Sequence, residues 1–325
     1  MNVMIVGAGQ LGSRHLQACV KIRDRLNILV IDQSVESLKL AESRAKEVST
    51  YGYHNVTFCS ALENIAEKFD IEVLILATGA ESRFSILDDI LCSFKVKHAV
   101  LEKVLFQDLH SYDLAASLLM KNGVNAYVNC PLRTYPFFER VKAELFNRDL
   151  PVSIKYRGGE WVGLACNSIH YIDLLRFLSS SKVLRVDVSG LDEEIIPSKR
   201  VGNIEFTGGL VVDYSDGSKL FVQSIKGSQE ESIIMLGCGG TTIEIEELTG
   251  NFTISVDGTI KEVGQYDLVY QSDLTKELVE SLINFGTCCL TTYEESSTLH
   301  RPFIEALLEF YTIRSGVKQE HLPIT

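Results

Sequence analysis

The chain opens with a glycine pattern that constrains its fold more than any other feature. An apolar run, Val3–Val6, leads into Gly7-x-Gly9-x-x-Gly12, and apolar residues at helical spacing continue to position 20. In a strand that turns into a helix, the first glycine permits the tight turn, the second lets the backbone approach a pyrophosphate, and the third lets the helix pack against its strand. The helix N-terminus then offers unpaired N–H groups to the anion. The predicted cofactor-binding residues of this loop are Gly7, Gly9, Gln10, Leu11 and Gly12.

A second apolar run indicates which dinucleotide this loop binds. Residues Asn27–Ile31 form that run, and Asp32 follows it at the distance from the glycines that the fingerprint requires. A carboxylate there accepts hydrogen bonds from the ribose hydroxyls and repels a 2′-phosphate. Gln33 and Ser34 add no positive charge, so we expect NAD, with NADP disfavoured. The alternative is a glycine-rich turn in an unrelated α/β domain, with Asp32 as a helix cap.

Composition and charge exclude several classes of protein. The 325 residues are 46% hydrophobic and 23% charged, as in an ordinary globular protein of two domains. The net charge of −12, without a Lys/Arg run, argues against a nucleic-acid surface. Apolar stretches are far shorter than the roughly 20 residues of a membrane span, and no basic leader precedes the first strand, so we expect a cytoplasmic protein. The eight cysteines lack metal-site and disulfide-framework spacing, and we expect no metal.

Short apolar strands alternate with helical segments in the first part of the chain. The predicted strands are residues 3–6, 28–31, 56–59, 73–77, 98–101 and 126–128. Such alternation is typical of a doubly wound parallel sheet with helices on both faces, which is an α/β Rossmann arrangement. Ligands of these sheets bind outside the carboxyl ends of the strands. We therefore expect Gly7, Asp32, Thr78 and Glu102 to line one crevice as cofactor-binding residues.

The pattern changes in the second part, where period-2 stretches and Asp-Gly turns predict antiparallel hairpins. Clear examples are the stretch 242–246 and the turns at 216–217 and 257–258. Two helices follow, one over 273–285 and one opened by the capping box at Thr292, with Pro302 expected to kink or restart the latter. The predicted domains are 1–129, a dinucleotide-binding domain, and 130–325, an α+β domain with a large, mostly antiparallel open sheet.

Six segments, taken in order, are similar to motifs of one known family over most of the chain. The segments are GAGQLGSRH at 7–15, ATGAES at 77–82, LEKV at 101–104, NCPLRTYP at 129–136, HYIDLL at 170–175 and LPIT at 322–325. Together they resemble the glucose-fructose oxidoreductase, inositol dehydrogenase and rhizopine-catabolism family (Gfo/Idh/MocA). The resemblance implies a homodimer or homotetramer formed through the open face of the antiparallel sheet.

The resemblance also implies two catalytic residues. The family's lysine of an E-K-P motif lies beside the nicotinamide and the substrate, and Lys103 matches it. Its histidine of an H-x-x-D segment exchanges the substrate hydroxyl proton, and His170 matches it. Oxidation of a secondary alcohol needs such a base while hydride leaves the same carbon, and an ordinary histidine pKa of about 6.5 suits the task. The alternatives are a solvated lysine at a strand end and a buried core histidine.

Three positions depart from the family pattern. Cys166 stands four residues before His170, where the family usually has an acid, and a thiol orients an imidazole poorly. Asn167 is a candidate to donate a hydrogen bond instead. Val104 follows Lys103 in place of proline, which removes a rigid φ constraint. Arg83 replaces a common histidine and is expected to give its loop an anion contact.

Four further residues are candidates for substrate binding, each with a structural alternative. They are Arg133, Trp161, Asn167 and Asp173. Arg133 could hold a substrate acid or form a salt bridge, and Asp173 could pair with a neighbouring cation. Trp161 could stack on a sugar ring or fill an interface.

The sequence therefore predicts an NAD-dependent oxidoreductase that acts on a hydroxyl or keto carbon of a sugar, cyclitol or nucleotide-linked sugar. Two alternatives are a cofactor-binding sensor with weakened chemistry and a redox-neutral enzyme with tightly held NAD. Cys166→Asp should raise turnover if a weakened dehydrogenase site remains. A small carbohydrate-like substrate is the expected partner, with no nucleic acid and no membrane.

Overall fold

The first part of the chain alternates strands and helices, as its apolar pattern predicts. The computed structural model of the protein describes residues 1–65, 68–147 and 149–325. The elements of this part are β1 (Asn2–Val6), α1 (Gln10–Cys19), β2 (Asn27–Ile31), α2 (Val35–Lys46), β3 (Asn55–Cys59), β4 (Ile71–Leu76), α3 (Ala80–Ser93), β5 (Val96–Glu102), α4 (Leu109–Asn122) and β6 (Asn125–Asn129). All six predicted strands are confirmed, with ends shifted by at most two residues.

These six strands form a parallel sheet whose order places a ligand crevice at its centre. The order across the sheet is β3-β2-β1-β4-β5-β6. This is the doubly wound order of dinucleotide-binding domains, in which the connections reverse direction between the first and fourth strands. The carboxyl ends of β1, β2, β4 and β5 therefore bring the predicted cofactor residues to one edge of the sheet.

The second part of the chain is built on a large antiparallel sheet with one helix packed on it. Its elements are α5 (Pro136–Arg140), β7 (Val152–Gly159), α6 (Leu164–Ser179), β8 (Val183–Leu191), β9 (Ile196–Pro197), β10 (Ile204–Glu205), β11 (Gly208–Tyr214), β12 (Lys219–Ile225), β13 (Ile233–Cys238), β14 (Thr241–Glu246), β15 (Asn251–Val256) and β16 (Thr259–Gln265). In the described residues the sheet order is β16-β15-β14-β13-β7-β12-β11-β8, antiparallel except for the β7–β12 pair. The predicted fold class is confirmed.

Both predicted hairpin turns occur where the Asp-Gly pairs place them. Gly217 has φ +89° and joins β11 to β12. Asp257 and Gly258 have φ +48° and +74° and join β15 to β16. Two consecutive positive φ values match the twist of the strands that flank a two-residue hairpin loop, and Asp-Gly is a favoured pair at those positions. Helix α6 packs against β7 and β12 on one face of this sheet.

The C-terminal elements divide between the two compact units. They are α7 (Gln271–Phe285), β17 (Thr291–Thr292) and α8 (Tyr293–Ser315). The first unit comprises 1–106, 110–129 and 269–294, and the second comprises 107–109, 130–268 and 295–325. The units divide after residue 129, where the predicted boundary lies, whereas residues 269–294, which the prediction placed in the second domain, lie in the first unit.

The return of α7 to the first unit has a physical cause in its apolar stripe. Leu274, Leu278, Val279 and Leu282 are buried in the same core as strands β1 and β4, and α7 packs against α1. Fully burying one leucine side chain contributes about 1.5–3 kcal/mol. Strand β17 then pairs antiparallel with β6 and extends the first sheet. Periodicity predicts such a stripe but not which sheet covers it.

Helix α8 begins directly after Thr292, where the capping box predicts a helix start. It continues through Pro302 to Ser315 as one helix, so of the two expected outcomes at Pro302, a kink or a restart, the restart does not occur. None of the helices in the described ranges is long and apolar enough to cross a membrane.

One core histidine of the first sheet is buried without hydrogen bonds. His98 on β5 is fully buried, and neither ring nitrogen has a hydrogen-bond partner among the described residues. Burial lowers its pKa, and the positive charge of Lys97 lowers it further. His54 is also buried, and burial lowers its pKa too. The folded state therefore favours neutral rings at both positions.

This arrangement predicts a loss of stability in mild acid. Below about pH 6.5 the unfolded chain takes up protons that the folded state binds more weakly, so the free energy of unfolding falls as pH drops from there toward the lowered pKa values of the folded state. We expect His98→Leu to unfold at higher urea concentration than wild type, because it removes an unsatisfied polar group, and to flatten the acid loss. Part of the pH dependence of the unfolding free energy should remain in this variant, because His54 is unchanged.

Urea unfolding between about pH 7.5 and about pH 5 measures this effect. The matched control is His110→Leu, at an exposed position on α4, which should leave the pH slope unchanged. Identical slopes for wild type and His98→Leu would contradict the assignment.

Candidate active site

The glycine loop after β1 is packed as closely as its sequence predicts. Gly7 has φ +91°, and a Cβ there would lie 2.7 Å from the Ala77 carbonyl oxygen. A Cβ at Gly12 would lie 1.8 Å from the Gly7 carbonyl oxygen. Gly9 differs, because a Cβ there would meet no atom within 4 Å. Two of the glycines therefore allow close packing within the protein, whereas Gly9 borders open space.

The N-terminus of α1 has the character of an anion site. Gly9 precedes the helix, no side chain in the described structure caps it, and its first turn holds no acidic residue. Asp32 lies at the end of β2, where its Oδ2 accepts a hydrogen bond from Ala8 N at 2.7 Å. Its Oδ1 accepts one from Ser34 N at 2.8 Å. These bonds orient the carboxylate and leave it further lone pairs for hydroxyl donors.

An arginine from another helix also contacts the glycine loop. Arg44, in the last turn of α2, donates from Nη2 to the Gln10 side-chain oxygen at 2.7 Å and from Nη1 to Ser13 Oγ at 2.6 Å. Gln33 and Ser34 add no positive charge beside Asp32, but Arg44 brings one to the loop from another helix. Arg44 comes within reach because α2 packs against α1.

The next loop along the edge contains an unsatisfied hydroxyl. Thr78 follows β4, and its Oγ1 is buried without a hydrogen-bond partner in the described residues. An orphaned hydroxyl, an uncapped helix N-terminus, open space at Gly9 and an oriented carboxylate at Asp32 are the donors and acceptors that a dinucleotide uses. The residues present therefore fit the predicted cofactor.

The contrast between Gly9 and Gly12 gives a matched pair of variants. Gly9→Ala should fold with an unchanged melting temperature, because its φ is −63° and its methyl group meets nothing. It should nevertheless weaken dinucleotide binding roughly tenfold or more, because the methyl group enters the space for the pyrophosphate. Gly12→Ala should instead lower the melting temperature strongly. Thermal unfolding and calorimetric titration measure the two effects, and a destabilised Gly9→Ala with normal binding would contradict this account.

Glu102 lies in a closed ring of buried hydrogen bonds. Its Oε1 accepts from His15 Nε2 at 2.9 Å and from Asn129 Nδ2 at 2.6 Å. Asn129 also donates to Gln271 Oε1 at 2.9 Å, Gln271 donates to Thr275 Oγ1 at 2.6 Å, and Thr275 Oγ1 lies 2.7 Å from His15 Nδ1. Glu102 remains a predicted cofactor residue, and in the structure its carboxylate ties α1, β5, β6 and α7 together.

Lys103 is the one residue between 98 and 106 that is not buried. On the side of Glu102 its backbone is held by the hydrogen-bonded ring. On the other side Arg83, only 1% exposed, donates to the carbonyl oxygens of Thr78, Val104 and Leu105. The Lys103–Val104 peptide bond is cis. Because of the hydrogen bonds on its two sides, the lysine projects from a backbone segment that is fixed before and after it.

Arg83 does not have the role expected from the sequence. Its guanidinium is buried, and its two terminal nitrogens donate to three carbonyl oxygens. An anion contact for the loop is therefore wrong, and Arg83 positions the backbone around Lys103 instead. Sequence alone offers no signal for this, because the partners are main-chain atoms.

His170 lies on helix α6 of the second unit, on the one face of the first turns that is not fully buried. Cys166, Asn167 and His170 share this face and are all partly exposed. A fully buried core histidine is therefore not what the structure contains. Asn167 Nδ2 donates to the Val162 carbonyl oxygen at 2.9 Å, so this amide N–H holds the helix start. Cys166 Sγ donates to Glu205 Oε2 at 3.1 Å.

Two of the candidate substrate residues pair with each other. Arg133 Nη1 lies 3.2 Å from Asp173 Oδ1, and Asp173 is 1% exposed. Arg133 also lies 3.9 Å from Glu295, which in turn pairs with Arg176 at 2.7 Å. The structure thus favours the salt-bridge alternative for both Arg133 and Asp173.

Trp161 is 41% exposed, and the ammonium of Lys199 lies 5.0 Å from the centre of its ring. The ring is accessible to a ligand, and its stacking on a sugar stays a prediction. No group of three His, Cys, Asp or Glu side chains in the described part of the chain could hold a metal ion.

An adjoining face of α6 is fixed by a carboxylate that sequence inspection did not single out. Tyr171 Oη donates to Glu247 Oε1 at 2.7 Å, and Tyr156 Oη donates to Oε2 at 2.9 Å. The two rings stack with centres 4.0 Å apart. Burial raises the pKa of both phenols, and the charge of Glu247 raises it further, so both remain protonated donors. These contacts hold the helix that carries His170 against its sheet.

Comparison with known proteins agrees with the first unit. Residues 1–130 match the family GFO_IDH_MocA, described as an oxidoreductase family with an NAD-binding Rossmann fold. The first domain is thus similar to the Gfo/Idh/MocA oxidoreductases over its whole length. The resemblance read from the motifs is confirmed there, on an α/β fold with the predicted parallel sheet. No curated protein matches the sequence.

Solved structures of similar fold cover nearly the whole chain. UDP-N-acetylglucosamine 3-dehydrogenase GnnA from Acidithiobacillus ferrooxidans is 12% identical with TM-score 0.70, covering 98% of each chain. An oxidoreductase from Agrobacterium radiobacter, solved with NAD+, L-tartaric acid and magnesium, is 15% identical with TM-score 0.69, covering 94% of this chain and 95% of its own. A Gfo/Idh/MocA family oxidoreductase from Vibrio cholerae is 12% identical with TM-score 0.70, covering 97% and 99%. At these identities the likeness establishes the fold.

Proposed function

We propose that this protein is an NAD-dependent oxidoreductase that acts on a hydroxyl or keto carbon of a sugar, cyclitol or nucleotide-linked sugar. The observation that carries the proposal is the cofactor crevice, where open space at Gly9, the uncapped start of α1 and the oriented Asp32 carboxylate occur together. One neighbour of the same fold is named as a UDP-N-acetylglucosamine 3-dehydrogenase. Nucleotide-linked sugars are therefore the first substrates to test.

NAD rather than NADP follows from the charges at the end of β2. The Asp32 carboxylate would repel a 2′-phosphate and accept ribose hydroxyls. Arg44 is the nearby cation that could favour NADP, but its guanidinium is hydrogen-bonded to Gln10 and Ser13. Its charge is thus engaged in holding α1 against α2.

Two side chains carry the polar chemistry of the reaction. NAD, when bound, accepts the hydride from the substrate carbon. Lys103, held at the end of β5, donates a hydrogen bond to the substrate oxygen and stabilises the charge that develops there. His170 takes the hydroxyl proton during oxidation and returns it during reduction. These roles rest on the match of both residues to the family motifs.

Calorimetric titration with NADH and NADPH tests the cofactor, after the preparation has been assayed for nucleotide already bound. We expect NADH to bind more tightly. Asp32→Ala should reduce the difference in affinity between NADH and NADPH. Arg44→Gln should leave the preference for NADH in place. An NADPH preference that disappears in Arg44→Gln would overturn the choice of NAD.

A screen of sugars and nucleotide sugars for absorbance change tests the chemistry. Lys103→Met and His170→Asn should each lower kcat about 10²–10⁴-fold while NADH binding persists. Full turnover in both variants would refute the mechanism. Cofactor that survives gel filtration and is not consumed would favour a redox-neutral enzyme, and binding without any turnover would favour a sensor.

We also propose that the outer face of the large sheet joins two copies of the chain. Exposed apolar side chains, among them Ile233 and Met235 on β13, lie between a basic strip on β7 and an acidic strip on β14. The strips are Lys155 with Arg157, and Glu244 with Glu246. A two-fold axis along β13 would place each basic strip on the partner's acidic one.

Light scattering at micromolar concentration tests this interface. We expect an even-numbered oligomer for wild type and a shift toward monomer for Met235→Glu, because a charge replaces apolar contact area. Met120→Glu, at a position 81% exposed on α4, is the matched control. A monomeric wild type would defeat the proposal.

A further inference from the structure

The first turn of α6 takes its cap from a distant carboxylate. Gly163 precedes the helix with φ +73° and supplies no side-chain cap. Glu205, on the two-residue strand β10, accepts hydrogen bonds from Ala165 N and from its own neighbour Phe206 N, the latter at 3.0 Å. It is 2% exposed. A carboxylate at a helix N-terminus also interacts favourably with the helix dipole.

Cys166 completes this cap as a neutral donor. Its Sγ donates a hydrogen bond to Glu205 Oε2, 3.1 Å away. Burial raises the pKa of Glu205, and the hydrogen bonds from Ala165, Cys166 and Phe206 oppose that rise. Removing a donor would leave a buried carboxylate short of a partner, which is strongly unfavourable.

A second acid cannot be accommodated beside Glu205. An aspartate at position 166 would put its carboxylate within about 3–4 Å of the Glu205 oxygens, and two carboxylates so close in a buried site cannot both ionise. The thiol of Cys166 avoids this conflict. It donates a hydrogen bond and carries no charge.

We propose that Glu205 is the acid of the α6 site in this chain and acts as a positioning residue for the helical turns that carry His170. Cys166 and His170 are four residues apart and share one face of the helix, so a cap that fixes the first turn also fixes the second. The acid is supplied from β10, and residue 166 must remain neutral while Glu205 is ionised. The predicted effects on stability do not depend on the proposed function. The predicted effects on kcat rest on it.

The proposal reverses the outcome expected for Cys166→Asp from sequence alone. Instead of restoring activity, this variant should lose stability near pH 7 and regain it in mild acid, because the carboxylate pair must hold a proton in the folded state. Cys166→Ser, which keeps a neutral donor, should remain close to wild type. Glu205→Gln should destabilise moderately. Cys166→Asp/Glu205→Gln should be more stable than the sum of the two single changes.

Urea unfolding without any ligand, at about pH 7 and about pH 5.5, measures this cycle. The matched control is Cys92→Asp on α3, because Cys92 Sγ also lies 3.7 Å from a carboxylate oxygen, that of Asp88, but is exposed to solvent. We expect little change there. A Cys166→Asp protein as stable as wild type at both pH values, or strictly additive changes in the double variant, would overturn the proposal.

Kinetics then separate positioning from mere stability. With a substrate in hand, Glu205→Gln should lower kcat roughly 10- to 100-fold with NADH affinity unchanged, since misplacement of a catalytic group has effects of that order. Cys166→Asp should lose kcat, and Cys166→Asp/Glu205→Gln should recover part of it. Unchanged kcat in Glu205→Gln would overturn the positioning role. Absence of NADH binding in wild type would instead refute the proposed function and leave the stability cycle standing.

Discussion

The closed ring of hydrogen bonds around Glu102 is the interaction on which the first unit depends. It joins the first helix, the ends of β5 and β6, and the first turns of α7, which lies some 250 positions later in the chain than its partner His15. Each member is buried or half-buried, and one imidazole tautomer satisfies every contact in the ring. Among the buried atoms of these side chains only Asn129 Oδ1 lacks a partner in the described residues. Moving α7 away would leave further buried polar groups without partners, which is unfavourable. The ring therefore selects a single placement of α7 on the sheet, which apolar packing alone would specify less narrowly.

The same design appears at both proposed catalytic residues. Lys103 directly follows Glu102, which belongs to the ring. The carbonyl groups after Lys103 accept hydrogen bonds from the buried Arg83. His170 lies on a helix whose first turn is capped by Glu205 and whose adjoining face is tied to Glu247 through Tyr171. In each case the side chain that meets solvent is supported by buried polar residues from other elements. Such support limits the movement of a catalytic group, which is what preorganised chemistry requires.

The local features were predictable because they depend on neighbours in the chain. Glycine at positions 7 and 12 predicts close packing, and the structure places carbonyl oxygens where a Cβ would be. Asp-Gly pairs predict the hairpin turns, and periodic leucines predict α7. The residues that support the site could not be predicted, because their partners lie far from them in the chain or are main-chain atoms. Arg83 binds main-chain oxygens, Arg44 reaches Gln10 from the far end of another helix, and Glu205 contacts residues about 40 positions away.

The sequence by itself determined the parallel α/β class of the first domain, its cofactor loop, the boundary after residue 129 and the antiparallel character of the second sheet. These follow from backbone geometry and from the period of apolar residues, both of which act over a few positions. Only the tertiary structure decided that residues 269–294 return to the first sheet, that Arg133 pairs with Asp173, and that a carboxylate caps α6 beside Cys166. Those outcomes depend on burial, because a polar group removed from water must find a partner, and packing rather than chain order decides which one lies within reach.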